Sequence, residues 1–246
     1  WYAKQVEELD PVTVAQEIDI DYAASVEGVL IPSAWVQDAI DAHLKLGIEP
    51  SGTRFGAIDV ADEGVDLNAF AGRHGFMVEH IESWSGKGGD IFQSVVRVFG
   101  ICDTLRYERF YYDADGLGSG VRGDARVISE QRKAQGISDE ITSVPFRGSG
   151  EVFDPDGEMV PKRKNKDFFA NLKAQSWWAL RIRFQETHRA INGEQYDPDK
   201  IISIPSSLPE RIKLVGELSQ PTYSLNTAGK VVVDKKPEGA RSPNLG

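Results

Sequence analysis

The acidic residues of this chain form two groups whose spacing could serve a reaction. The first lies in residues 54–69, RFGAIDVADEGVDLNA, where a short apolar run leads to Asp59 and then to Asp62, Glu63 and Asp66 around Gly64. The second closes residues 106–113, RYERFYYD, with Asp113, and Asp115 follows two residues on. Each reads as a strand that delivers a carboxylate at its end. Two such carboxylates held side by side repel one another unless a cation bridges them. Their hard oxygen atoms suit Mg2+ or Mn2+ better than zinc. A pair of such ions roughly 4 Å apart activates a water and stabilises the leaving oxygen of a phosphodiester. The chemistry on offer is metal-dependent phosphoryl hydrolysis, provided the fold makes the two strands neighbours. Without that condition, an aspartate at a strand end before a glycine is an ordinary turn residue. The turn Gly116-Leu117-Gly118-Ser119-Gly120 offers a phosphate cradle, but G-x-G-x-G alone equally describes room for a helix to start against a sheet.

A basic cluster follows in residues 161–189. Lys162, Arg163, Lys164 and Lys166 sit together, with Lys173, Arg181, Arg183 and Arg189 further along. It reads either as a solvated face or as a strip that contacts phosphates. The formal net charge of −10 argues against a nucleic-acid partner at first sight. Residues 1–50, however, hold 10 of the 38 acidic and only 2 of the 28 basic side chains, so the remainder is nearly balanced. A single cysteine, Cys102, excludes an internal disulfide framework and a multi-cysteine zinc site, and is expected as a small buried residue late in a helix. No apolar run approaches the roughly 18–20 residues that cross a bilayer, and no secretory segment opens the chain, so no membrane partner and an intracellular setting are expected.

The elements that must position these residues are legible in outline. Residues 1–52 read as a lead-in, with a helix opened by Pro32 and Ser33 and carrying Trp35, Val36, Ala39, Ile40 and Leu44 at helical spacing. From Thr53 the pattern turns to strands at residues 55–60, 66–72 and 76–84, most simply an antiparallel meander. Asp90 then caps a helix to about Cys102 whose apolar face is Ile91, Val95, Val98 and Phe99. The strand ending at Asp113 follows, then a polar helix to about Ala134, a strand at 141–146 and a loop at 147–161 around Asp154-Pro155-Asp156-Gly157. Residues 165–191 give the longest helical pattern, with Phe169, Leu172, Leu180 and Phe184 on one face and Asn192-Gly193 at its end. Trp177 and Trp178 are expected in the core or along its edge. A shorter helix at 208–218 and a hairpin of residues 222–225 and 230–233 complete the chain.

Three strands, helix, strand, helix, strand and long helix is the element order of the ribonuclease-H-like fold. The fold class is thus α/β: a mixed five-stranded sheet flanked by helices, here with an extra C-terminal hairpin. That fold sets its first and fourth strands side by side, which would bring Asp59 next to Asp113.

From residue 53 onward the sequence also resembles the C-terminal nuclease domain of the phage large terminase subunit, the motor that packages viral DNA. The resemblance rests on AIDVADEGVD (57–66), YYDADGLGSGV (111–121), RKNKDFFANLKAQSWWALRIRF (163–184) and KLVGEL through DKKPEGARSPN (213–244). The lead-in, with VAQEIDIDYAAS and VLIPSAWV, resembles the link after the packaging ATPase. The resemblance implies 1–52 as a link from an upstream ATPase domain and 53–246 as the nuclease domain. It implies Asp59 and Asp113 as catalytic metal ligands, Asp66 as an assisting acid, Asp115 as an alternate second ligand, and a two-metal site for Mg2+ or Mn2+. A third acid is expected two or three residues after the SPN turn, past Gly246; Asp234, upstream, matches a strand position instead. On this reading the chain is a piece of a longer polypeptide. Lys162, Arg163, Lys164 and Lys166 would contact DNA. The implied partners are double-stranded DNA, the upstream ATPase domain, the portal protein and the small terminase subunit, in the cytoplasm of the infected host cell. Two other readings stay open: a non-cleaving module that guides DNA or docks on the portal, and an actin-like nucleotide-binding domain.

Overall fold

Alternation along the first strand decides which face of the sheet becomes core. The computed structural model describes residues 28–61, 67–86, 91–115, 118–137 and 140–234. In β1 (Arg54–Asp59), Gly56 and Ile58 are buried while Ala57 and Asp59 are exposed on the opposite face. β2 (Leu67–His74) and β3 (Met77–Ser85) continue from it as an antiparallel meander, with an irregularity between Gly72 and Arg73. β4 (Arg109–Asp113) and β5 (Thr142–Phe146) add parallel strands on the other side of β1. The order β3-β2-β1-β4-β5 is the ribonuclease-H-like sheet expected from the element order. Parallel neighbours need a crossover, and the helical stretches 91–105 before β4 and 118–134 before β5 lie in those connections.

One face of the sheet is closed by α3 (Ile91–Leu105) and α4 (Gly118–Ala134). The apolar stripe Val95, Val98, Phe99 and Cys102 of α3 packs with Val121, Ala125 and Ile128 of α4 onto Ile58, Phe70, Phe110 and Tyr112. Cys102 is buried here as expected, and burial pushes its thiol up to about 12, which leaves it unreactive at neutral pH.

The opposite face is covered by α6 (Leu172–Ile191), α7 (Arg211–Leu218) and the hairpin β6 (Thr222–Leu225) with β7 (Val231–Asp234). The described part of the expected lead-in packs into this same core. Leu30, Ile31, Val36 and Ala39 are fully buried, Val29 bridges to Thr222, and the Arg181 guanidinium donates to the carbonyl of Leu30 while lying over Trp35 and Trp178.

Two helical expectations are corrected. Residues 165–191 are not one helix: α5 (Asn165–Phe168) stops, Phe169 turns extended and bridges to Val231, and the Ala170 N–H donates to the Val231 carbonyl at 2.9 Å. Asn171 then restarts the helix, its side chain accepting from the Ala174 N–H at 2.9 Å. Pairing with the hairpin outcompetes helical continuity over those three residues. Likewise the helix after Pro32 is split into α1 (Ser33–Asp38) and α2 (Ala42–Leu46), because Ile40 bridges to Ile204 and Asp41 adopts a left-handed conformation with its carboxylate accepting from the Ser206 N–H. Among the described residues, no helix is long and apolar enough to cross a membrane.

Candidate metal centre

The parallel register of β1 and β4 runs Phe55 with Arg109 through Ile58 with Tyr112. One step further along both strands come Asp59 and Asp113, the last residue of each. Adjacent strands lie about 4.8 Å apart, and residues in register point to the same face. The two carboxylates therefore leave the sheet together, on the face that Ala57 and Tyr111 share rather than the one that Ile58 and Tyr112 bury. Both aspartates are exposed.

They stand at the edge of a cavity of about 620 Å3 between the sheet and the first turns of α6. Its floor is built from small residues, Ala57, Ala69 and Ala71, which leave the space that larger β-formers would fill. Its far wall is Lys173, Ser176, Trp177 and Leu180 of α6, and Asp115 and Ser149 close one end. Of the tryptophan pair, Trp178 is in the core against Phe168 and Tyr223, while Trp177 faces the cavity.

Three hydrogen bonds make the acidic corner rigid. Asp113 Oδ1 accepts from the Asp115 N–H at 2.9 Å, which folds the chain back directly after β4. The Asp115 carboxylate in turn accepts from the Ser149 N–H at 2.6 Å and the Ser149 hydroxyl at 2.8 Å. The Ser149 amide first and its hydroxyl second hold the Asp115 carboxyl below its usual range. Ser149 belongs to the turn after β5, and that turn also receives α6: the Lys173 N–H donates to the Gly148 carbonyl at 2.8 Å, and the Leu172 N–H to the Gly150 carbonyl at 3.0 Å. On the β1 side, buried Asn68 accepts from the Ala61 N–H at 3.0 Å and fixes the chain just past Asp59.

Of the residues expected at this site, the structure brings Asp59, Asp113 and Asp115 to one cavity. Asp66 lies outside the described residues, as do Gly116, Leu117 and everything after Asp234. Asp234 ends β7 and is not among the residues lining the cavity. Lys162, Arg163, Lys164 and Lys166 are exposed in the excursion between β5 and α6 and do not line the cavity either. Lys164 and Lys166 both grip Asp156 Oδ1, at 3.0 and 2.8 Å, and together bring its carboxyl down to about 2. Ser149, Asn68 and the alanine floor carry no sequence signal of their own; Lys173 is visible in the basic cluster but nothing in its spacing assigns it to the acids.

The donor set fits a hard divalent cation in kind, with carboxylate oxygens from two strand ends and, among the described residues lining the cavity, no sulfur or imidazole. Among the described residues no group of three or more His, Cys, Asp or Glu side chains is gathered closely enough to hold a metal ion.

No family model matches this chain, and no curated protein sequence does. Solved structures do match. The nuclease domain of the large terminase subunit gp2 of bacterial virus Sf6 is 31% identical over 88% of this chain and 94% of its own, with a TM-score of 0.76. A point mutant of that domain, solved with manganese and beta-thujaplicinol, matches with the same identity, coverage and TM-score. The same mutant of gp2 from bacteriophage Sf6 with calcium is 32% identical over 88% of this chain and 95% of its own, again with a TM-score of 0.76.

Proposed function

This chain belongs to the family of phage large-terminase nuclease domains, and from that premise we propose that it is a metal-dependent endonuclease that cuts double-stranded concatemeric DNA during packaging, at the cavity between β1, β4 and α6. The observation that carries this reading is the parallel register that sets Asp59 beside Asp113 at the cavity edge. Manganese and calcium in the Sf6 domain support a divalent ion here, and the all-oxygen donors favour Mg2+ or Mn2+ in a two-metal site. Bound at Asp59 and Asp113, such ions would supply an activated water and charge stabilisation for the leaving oxygen.

The protein's own part is positioning. Asp113 is held in place by the Asp115 amide, and Asp115 by Ser149, so the second carboxylate is preorganised by a chain of hydrogen bonds rather than by the ion alone. Asp115 serves as that support, and Asp66 assists from outside the described residues. Lys173, on the wall opposite the acids, places a positive charge where a scissile phosphate must approach. Trp177 and Leu180 exclude water from the back of the cavity. The exposed strip Lys162, Arg163, Lys164 and Lys166 contacts phosphates further along the duplex. An upstream ATPase domain, the portal protein and the small terminase subunit are the partners this role implies.

The test is conversion of supercoiled plasmid to nicked and linear forms in Mg2+ or Mn2+. Asp59→Ala and Asp113→Ala should each abolish it; cleavage that persists in both variants removes the assignment. The non-cleaving, DNA-guiding reading draws on one observation, that the described residues gather fewer than three ligands. Unchanged DNA affinity in both variants with no cleavage by the parent in any metal would favour it.

A further inference from the structure

A second cavity, of about 490 Å3, lies at the opposite end of β1 from Asp59 and is lined by Phe55, Arg73, Phe76, Arg183 and Tyr196 among others. Phe55 and Asp59 are four residues apart on one strand, roughly 13 Å, and the Phe55–Tyr111 edge contact stands between the two cavities. This volume is within the range of small-molecule sites.

Its two arginines are unusual for a structural role. Arg73 lies over the Phe55 ring at 4.2 Å and donates from Nη1 to the Gly75 carbonyl at 3.0 Å. Arg183 donates from Nη1 to the carbonyls of Ile201 at 3.1 Å and Asp199 at 3.3 Å. Each guanidinium is thus fixed by one nitrogen to backbone and retains other N–H donors. Among the described residues, neither makes an ion pair with a carboxylate: Asp197 is taken by Lys200 at 3.0 Å, and Glu49 and Asp199 are exposed at the rim. Burial first, and repulsion from Arg183 second, lower the Arg73 pKa; burial lowers that of Arg183, with Asp197 and Asp199 opposing. The two partly buried guanidinium groups repel one another, and the charges of Asp197 and Asp199 offset the burial of Arg183 only in part, so an anion held between the arginines would relieve both. Planar guanidinium forks match phosphate oxygens bidentately.

We propose that this cavity is a phosphate-binding site, with Arg73 and Arg183 gripping the phosphate group and the Phe76 and Tyr196 rings flanking whatever the phosphate is attached to. The phosphate comes from free phosphate, a mononucleotide or the 5′ end of a DNA strand, and the experiment separates these sources. The proposal is independent of the reaction assigned to the acidic cavity.

The measurement is titration calorimetry on the full chain carrying Asp59→Ala and Asp113→Ala, in EDTA, so that the acidic cavity contributes nothing through a metal. The titrants are inorganic phosphate, a nucleoside 5′-monophosphate, and a short single-stranded oligonucleotide with or without a 5′-phosphate. Saturable one-to-one binding is expected for at least one phosphate-bearing titrant. Arg73→Gln and Arg183→Gln are each expected to weaken it at least tenfold, roughly 1.4 kcal/mol. Arg73→Lys, which keeps the charge and loses the fork, guards against a folding defect and is expected to weaken it several-fold with an unchanged circular dichroism spectrum. Equal affinity for phosphate and monophosphate assigns recognition to the phosphate alone; tighter monophosphate binding brings in the flanking rings; binding confined to the 5′-phosphorylated oligonucleotide assigns a strand end. No saturable binding up to about 10 mM, past the millimolar range of weak specific complexes, overturns the proposal. So does binding that is unchanged in all three arginine variants, or oligonucleotide binding that ignores the 5′-phosphate with no affinity for the smaller titrants.

Discussion

Gly56 is where the site's geometry depends most directly on one missing carbon, and Gly56→Ala tests that dependence. A Cβ at this position would stand 2.2 Å from Cζ of Phe70 and 2.7 Å from its Cε2. Phe70 has no room to yield: it is fully buried, with its ring against Tyr107 at 6.0 Å and His80 at 6.1 Å between centroids. The added methyl must therefore either tilt the ring or push β1 away from β2, and β1 carries Asp59 three residues on. Overpacking of this kind costs about 1–3 kcal/mol. For a chain of this size each kcal/mol lowers Tm by roughly 2–4 °C, so a fall of roughly 2–12 °C is expected. Phe70→Leu alone removes ring volume and should cost about 1–2 kcal/mol. In the double variant the alanine methyl occupies the space the ring vacates, so the two losses should not add. A double-mutant cycle by urea unfolding is expected to show a favourable coupling of about 1 kcal/mol or more. Losses that add to within about 0.5 kcal/mol would refute the steric account of Gly56. Plasmid cleavage should fall with Gly56→Ala and recover in part in the double variant.

Three further outcomes follow from the contacts above. Ser149→Ala removes the hydroxyl bond to Asp115 but keeps the amide bond, which is the larger influence. The Asp115 carboxyl should titrate closer to its ordinary range in carboxyl-carbon NMR. Because that carboxyl is depressed in the folded chain, the stability it lends is present at neutral pH and lost as pH falls through its folded value. The variant's contribution should be smaller and its loss complete at a higher pH than the parent's; an unmoved titration would show that the hydroxyl bond does not act. Arg181→Ala strips the donor from the Leu30 carbonyl and the cation from between Trp35 and Trp178, and should cost about 2–4 kcal/mol in urea unfolding. A loss under about 0.5 kcal/mol would mean that residues 28–39 dock without it. Lys164→Ala and Lys166→Ala should each flatten the log affinity against log salt slope for duplex DNA by about 0.9, whereas Asp156→Ala, which releases both ammonium groups, should tighten binding; equal slopes in all three would remove the strip from the DNA interface.

The strand alternation and the order of elements are local properties, and they make the sheet and the Asp59–Asp113 pairing legible in the sequence. In Phe110, Tyr111, Tyr112 and Asp113 the period of two already separates the face that packs on α3 and α4 from the face that bears the acid. What stayed hidden depends on partners distant in sequence. The interruption at Phe169–Asn171 has no breaker residue; it exists because β7 is there to pair with. The split between α1 and α2 has the same origin, in Ile204 and Ser206. The apolar residues around Trp35 announced a helix but not that it would lie in one core with α6 and the hairpin. Ser149 is one serine among many until the β5 turn brings it to Asp115, 34 residues away.

That last contact separates two aspartates that sequence spacing treats as alternatives. Asp113 and Asp115 are two residues apart, and a continued strand would point both at the cavity as interchangeable ligands. β4 ends at Asp113, however, and the Asp115 amide folds back onto the Asp113 carboxylate. Asp115 then spends both oxygens on Ser149, in the turn whose flanking carbonyls of Gly148 and Gly150 anchor the first residues of α6. The acid edge and the Lys173–Trp177 wall are thereby tied through one side chain. Loss of Asp115 should therefore move the wall as well as the acid, and Asp115→Asn, which can still accept from Ser149, should preserve far more cleavage than Asp115→Ala. If Asp115 is instead an obligate metal ligand, the asparagine variant will be as inactive as the alanine one, and the plasmid assay decides between the two roles.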